Sequence, residues 1–251
     1  MLLKPPRNRP GCSIAIALIL AAVSVVAVAQ DRPPPIPYPP AVTPDQLDRH
    51  TLRIAPLERV SPGRYRMGAI EIDKDRRSVS FPAVVNMDRG LLEYVLVRTS
   101  GKAHESLLRT DVEPYNLQVA CILIGMEGTS VPLGFQGGPA TPKGDPIELS
   151  LQVTGKDGKP QAIGPEAWLV RREGETSREV PPLQWVFTGS VVHQGRLAAQ
   201  LGGSIVALYH DPAAMVDNAS PGGESDKIWF VKEGATPPVG TPVTVTFKLK
   251  R

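Results

Sequence analysis

Cysteine is almost missing from this chain: 251 residues hold two, Cys12 and Cys121. Cys12 precedes an N-terminal apolar run that reads as a cleavable leader. The mature chain is then expected to keep one thiol, so no intramolecular disulfide can form and stability must come from a core. A single thiol also excludes an iron–sulfur cluster or a four-thiolate zinc site. Histidine is scarce, with His50, His104, His193 and His210 the only four. An excess of one charge is missing too. The formal charge of +3 comes from 28 Lys and Arg against 25 Asp and Glu, and three of the 28 are Lys4, Arg7 and Arg9 in an acid-free start. Beyond them 25 bases face 25 acids. Short pairs such as Arg76-Arg77 and Arg171-Arg172 do not build a phosphate-neutralising face, so nucleic acid is not an expected partner.

What the chain does have begins with that leader. The basic residues precede Ser13 to Ala29, a run of 17 small and apolar residues ending in Ala27-Val28-Ala29, the small-x-small pattern of a signal-peptidase site. Cleavage before Gln30 is expected, with an uncleaved anchor over residues 13–29 as the alternative; the run falls short of the roughly 20 residues that cross a bilayer comfortably. Cys12 lies before the run rather than after it, which excludes acylation as a lipoprotein. Residues 30–49 follow as a tether. Its DRPPPIPYPPAVTP string removes backbone donors and fixes φ, as in a polyproline II spacer. The protein is therefore expected outside the cytoplasm, periplasmic or extracellular, with membrane contact only through its N-terminal segment.

Residues 50–251 read as one globular domain with a candidate sub-boundary at 134–145, where glycine and proline accumulate. Apolar and polar residues alternate without exception in Ile147 to Val153 and again in Val243 to Leu249, the signature of half-buried strands. The second of these is read as the closing strand. Weaker strand patterns span 65–72, 79–85, 91–98, 167–171, 185–192, 204–209 and 228–231, and Asp157-Gly158 suits a hairpin turn. One helix stands out: Pro114 fits a first turn, Asp111 offers a capping carboxylate, and Leu117, Ala120, Cys121 and Ile124 recur at helical spacing until Gly125. Ile122 and Leu123 widen that apolar face. A shorter helix is expected from Pro212 to Val216. The fold class is α+β, mainly antiparallel β with one buried main helix and one short helix.

Chemistry-bearing residues are few. His104-Glu105-Ser106 groups a base, an acid and a nucleophile, and these are the catalytic candidates. In a strand, however, His104 and Ser106 lie roughly 6.6 Å apart, too far for a direct hydrogen bond. His210-Asp211 ends a strand before Pro212, where Asp211 can cap the short helix. Together His104, His210 and Asp211 are the metal-ligand candidates, with Glu105 a further carboxylate. Asp217 to Asp226 reads as a solvated acidic loop without EF-hand spacing. Asn218-Ala219-Ser220 fits a glycosylation sequon. Trp168, Trp185 and Trp229 read as packing anchors, and Cys121 as a core thiol.

Two passages carry a resemblance. GKAHESLLRTDVEP over residues 101–114 with its helix, and WVFTGS, GSIVALYHDP, IWFV and PPVGTPVTVTF between Trp185 and Phe247, resemble the YdjY-like family of bacterial exported proteins. The resemblance covers most of residues 64–249. It implies a bacterial envelope setting and supplies no activity. It also implies that relatives often carry a histidine near the position of Gln118, whose absence counts against a metal site. The leading functional expectation is a noncatalytic binding or interaction module of the cell envelope, recognising an envelope protein or a small ligand of unknown identity. The alternative is a metal-dependent hydrolase built around His104 and His210. Thiol or peroxide redox chemistry would need an exposed Cys121.

Overall fold

The computed structural model describes residues 53–155 and 158–250; the leader, the tether, His50 and Asp157 lie outside the described residues. Period-2 alternation builds the first strands. β1 (Leu57–Ser61), β2 (Arg64–Met67), β3 (Ile70–Asp73) and β4 (Ser78–Val85) form an antiparallel meander. The 65–72 pattern is thus two strands, because Gly68, at φ 60°, turns the chain where other residues would be strained. β5 (Tyr94–Arg98) and β6 (Ser106–Thr110) run parallel, connected through a 3₁₀ turn at Ala103–Glu105. Then come α1 (Pro114–Leu123) and the hairpin of β7 (Asp145–Thr154) with β8 (Pro160–Ile163). β9 (Leu169–Glu173), β10 (Thr176–Glu179), β11 (Trp185–Phe187), β12 (Val192–His193) and β13 (Arg196–Leu197) lead to α2 (Ala198–Gly202). The chain finishes with β14 (Ser204–Ala207), β15 (Val216–Asn218), β16 (Trp229–Val231) and β17 (Pro242–Leu249).

Eight of these strands close on themselves. The order runs β4–β17–β7–β11–β15–β14–β5–β6, and β6 returns to β4 through the pairs Val84↔Arg109 and Val85↔Leu108. The barrel is antiparallel except for β5–β6 and β14–β15. The described residues are β-rich with two helices, in loose agreement with the α+β expectation; barrel closure is the feature that expectation lacks. The closing strand does lie where it joins both halves, paired to β4 on one side and β7 on the other. β10, β9 and β16 form a separate three-stranded sheet.

Alternation fills the interior. Val79, Phe81, Ala83 and Val85 on β4 and Val243, Val245, Phe247 and Leu249 on β17 are all buried. Phe81 and Phe247 meet edge to face with centroids 5.3 Å apart, a favoured quadrupole geometry. On the opposite face of the same strands, the Ser80 and Thr246 hydroxyls pair at 2.9 Å.

The helices differ from the sequence reading in three ways. α1 begins at Pro114 as expected, but Glu113 is the flanking residue and no side chain caps the helix, so Asp111 does not serve there. Leu117, Ala120 and Cys121 are wholly buried, whereas Ile122 is 54% exposed, so the helix buries one face only. Residues 212–216 form no helix: Asp211 Oδ1 accepts from the Ala213 N–H at 2.9 Å, a turn follows, and Val216 already belongs to β15. The short helix is α2, stopped by Gly203 in the left-handed region.

Truncating Phe247 to alanine removes the edge-to-face partner of Phe81 from a filled barrel. Chemical denaturation should show a loss of about 3–5 kcal/mol at unchanged slope against denaturant.

Candidate functional site

His210 and Asp211 follow β14 and enter the barrel wall, where they organise a buried polar hub. His210 is 3% exposed and Asp211 wholly buried. The His210 ring faces two backbone carbonyls, Nδ1 to Gly138 O at 2.9 Å and Nε2 to Asn218 O at 3.0 Å. Its own backbone N–H donates to Gly223 O at 2.6 Å, and its carbonyl accepts from Gly137 N–H at 2.8 Å. Gly223 is required there, since a Cβ would fall on the imidazole. Asp211 Oδ2 accepts from the Tyr94 hydroxyl at 2.8 Å, and that hydroxyl accepts from Lys102 Nζ at 2.6 Å and from Gln136 Nε2 at 3.2 Å. Gln136 Nε2 also reaches Glu93 Oε2 at 3.1 Å. The hub therefore gathers β5, the loop after it, the 134–145 stretch and the turns on either side of β15. The candidate sub-boundary is a loop stitched into the barrel end.

Asp217, also wholly buried, is the second carboxylate of the hub. Its Oδ2 accepts from the Asp211 backbone N–H at 2.9 Å and its Oδ1 from the Asn218 N–H at 2.8 Å. Burial pushes its pKa well above the ordinary value; the two amide donors oppose that rise and the Asp211 charge adds to it. At the hub's edge, burial likewise raises Glu93, with Glu105 contributing and Lys102 opposing. The sequence reading treated 217–226 as a solvated loop. Asp217 and Asn218 are instead fully buried, and Asn218 Nδ2 donates to Leu208 O at 3.3 Å, which withholds the sequon nitrogen in the folded chain.

The His104-Glu105-Ser106 tripeptide is split by the structure. The His104 side chain is 79% exposed and lies 3.5 Å from Glu105 Oε2. Ser106 is wholly buried and its hydroxyl donates to Leu108 O at 2.7 Å, away from any imidazole. His104 sits at the surface and His210 inside. Among the described residues no group of three or more His, Cys, Asp and Glu side chains is arranged to hold a metal.

A concave surface lies elsewhere. β4 pairs with β3 through Ser78–Ser80 and with β6 through Val84–Val85. Between those stretches no strand covers that edge of β4, and the partners splay apart. Pro82 occupies the gap; it has no N–H to leave unpaired, and its carbonyl accepts from the Thr110 hydroxyl at 2.6 Å. The resulting groove, ≈ 970 Å³, runs between Met67–Ile70 and Arg109–Glu113. Arg98 on its rim pairs with Glu113 at 2.6 Å, and Gln200 Nε2 takes the other Glu113 oxygen at 2.6 Å. Arg109 is among the residues that line the groove and is half-buried, and its side chain has no hydrogen-bond or ion-pair partner among the described residues. The sequence reading passed over Arg109, because a charged residue in an alternating strand is the ordinary outer-face pattern.

A family model described as the YdjY domain matches residues 70–248. The chain belongs to the YdjY family. No curated protein matches it, and no solved structure matches it. In this YdjY domain Trp168, Trp185 and Trp229 are all buried, with the Trp185 and Trp229 indole N–H groups donating to Glu166 Oε1 at 2.8 Å and Gly222 O at 3.0 Å. They offer no exposed aromatic platform. Cys121 is wholly buried and burial pushes its thiol up, so the exposure that redox chemistry would need is absent.

Asp217 binds its proton more tightly folded than unfolded. Its contribution to stability is then complete below the ordinary carboxyl pKa of about 3.9 and is lost as pH rises through the raised folded value. Denaturation of the wild type and Asp217→Asn at stepped pH from about 4 to 8 should show the wild type losing stability relative to the variant. A pH-independent difference would show that the raised affinity for the proton lies elsewhere.

Proposed function

We propose that this YdjY domain is a noncatalytic binding module of the bacterial cell envelope, receiving its ligand in the groove between β3 and β6. One observation carries the reading: half-buried Arg109 lines a groove of ≈ 970 Å³ with no side-chain partner among the described residues, while the buried candidate groups are committed to the fold. His210 spends both ring nitrogens on carbonyls, Ser106 its hydroxyl on Leu108, and Asp211 its carboxylate on Tyr94 and Ala213. A catalytic group needs a free lone pair or a transferable proton aimed at open space. A groove of this size falls within the range of ligand pockets. The envelope assignment rests on the leader and tether read from the sequence.

Metal analysis of the purified protein, alongside hydrolase assays with ester and phosphoester substrates, should find neither stoichiometric metal nor turnover. Stoichiometric metal lost in His104→Ala together with turnover would instead establish the hydrolase reading.

A further inference from the structure

Resting on that binding reading, we infer that the groove is a carboxylate site that takes an extended peptide segment bearing an acidic side chain, with Arg109 as the residue that grips the acid. The guanidinium is always charged and presents five donors in a planar fork that matches a carboxylate. Removing part of such a group from water is costly unless an anion meets it. None of the neighbouring acids does so. Both oxygens of Glu113 are taken, one by Arg98 and one by Gln200, and Asp111 makes no bond to Arg109. Arg53, Arg98 and Arg109 line the groove against Asp111 and Glu113, so its charge favours an incoming anion.

The shape points to an extended backbone. The groove already holds one beside the Gly68 turn: Asn116 on α1 donates from Nδ2 to Arg53 O at 2.9 Å, and its Oδ1 accepts from Ala55 N–H at 3.3 Å. A side-chain amide thus mimics a strand neighbour for the chain's own residues 53–55. Met67, Ile70, Pro82, Ala83 and Val112 provide apolar lining for the side chains that alternate with the acid.

The test uses the purified protein and an N-acetylated, C-amidated leucine–valine–glutamate–valine–leucine pentapeptide, with its glutamine counterpart as control, read by fluorescence polarisation and amide hydrogen exchange. The glutamate peptide should bind at least about tenfold more tightly than the glutamine peptide. It should protect amides in 67–70 and 109–113, and weaken with added salt. Arg109→Gln should erase the preference, and Arg109→Lys, which keeps the charge but loses the fork, should retain part of it. Both variants should unfold at the wild-type midpoint, since the Arg109 side chain has no hydrogen-bond or ion-pair partner to lose among the described residues. Equal binding of the two peptides, or an undiminished preference in Arg109→Gln, overturns the carboxylate assignment while leaving a binding domain. Binding of neither peptide overturns the peptide assignment, and inorganic phosphate protecting the same amides would name a phosphate site in its place. The metal and turnover measurements bear separately on the binding reading itself.

Discussion

The edge of β4 is shared between two partners, and the rest of the architecture follows from that division. Had β3 paired along the whole of β4, β6 could not have reached Val84 and Val85, and the sheet would have stayed open with β6 as an unpaired edge. Had β6 taken the whole edge, the meander of β1 to β3 would have lost its attachment. The compromise closes eight strands around a side-chain-filled interior, the size at which a barrel needs no ligand to fill it. It leaves an uncovered stretch only around Pro82, a residue whose missing N–H makes an unpaired edge tolerable. The groove is thus the geometric remainder of closure, and the arginine beside it is not consumed by the fold.

A second constraint fixes the opposite kind of surface. Asp211, Asp217, Asn218 and His210 are buried polar groups, and each would cost several kcal/mol if left unsatisfied. The structure satisfies them by drawing in groups from distant parts of the chain: Tyr94 from β5, Gly138 from the 134–145 loop, Leu208 from the end of β14. Such a network specifies one arrangement of loops, because a partly made network is worse than an apolar core. Lys102 stacks over the Tyr94 ring at 4.8 Å from the centroid and bonds its hydroxyl, so the positive charge is absorbed at the hub's margin. His210 and Asp211, metal-ligand candidates in the sequence, bond here to irregular backbone and to Tyr94.

The sequence was informative where structure is local. Ile147 to Val153 and Val243 to Leu249 were legible as strands because strict alternation matches the pleat, and both proved to be central barrel strands. Pro114 and Gly125 marked the bounds of α1 within two residues. The reading failed where a short polar signature has two outcomes. Asp211-Pro212 caps a helix or a turn equally well, and the parallel pairing of β15 with β14 decided for the turn. The β4–β6 closure joins residues about two dozen positions apart by pairing that no periodicity reports. His210 and Asp211 stand out in the sequence, but their hydrogen bonds run to Gly138 and Tyr94, 72 and 117 residues away, which no local pattern reports. Arg109 gave no signal, because an outward arginine in a strand differs from a ligand-gripping one only in which side chains surround it.

The two polar regions differ in how far their charged groups are matched within the described residues. At the hub, donors and acceptors are matched within the chain, the like charges of Asp211 and Asp217 are tempered by a raised proton affinity, and the side chains are held in place by backbone. In the groove the matching is incomplete: Glu113 satisfies Arg98 and has nothing left for Arg109. A folded chain can carry an unmatched, half-desolvated cation when the surrounding structure is stable without it, which a closed barrel core provides. On the binding reading proposed above, selectivity would follow from the fork geometry of the guanidinium and not from the barrel itself.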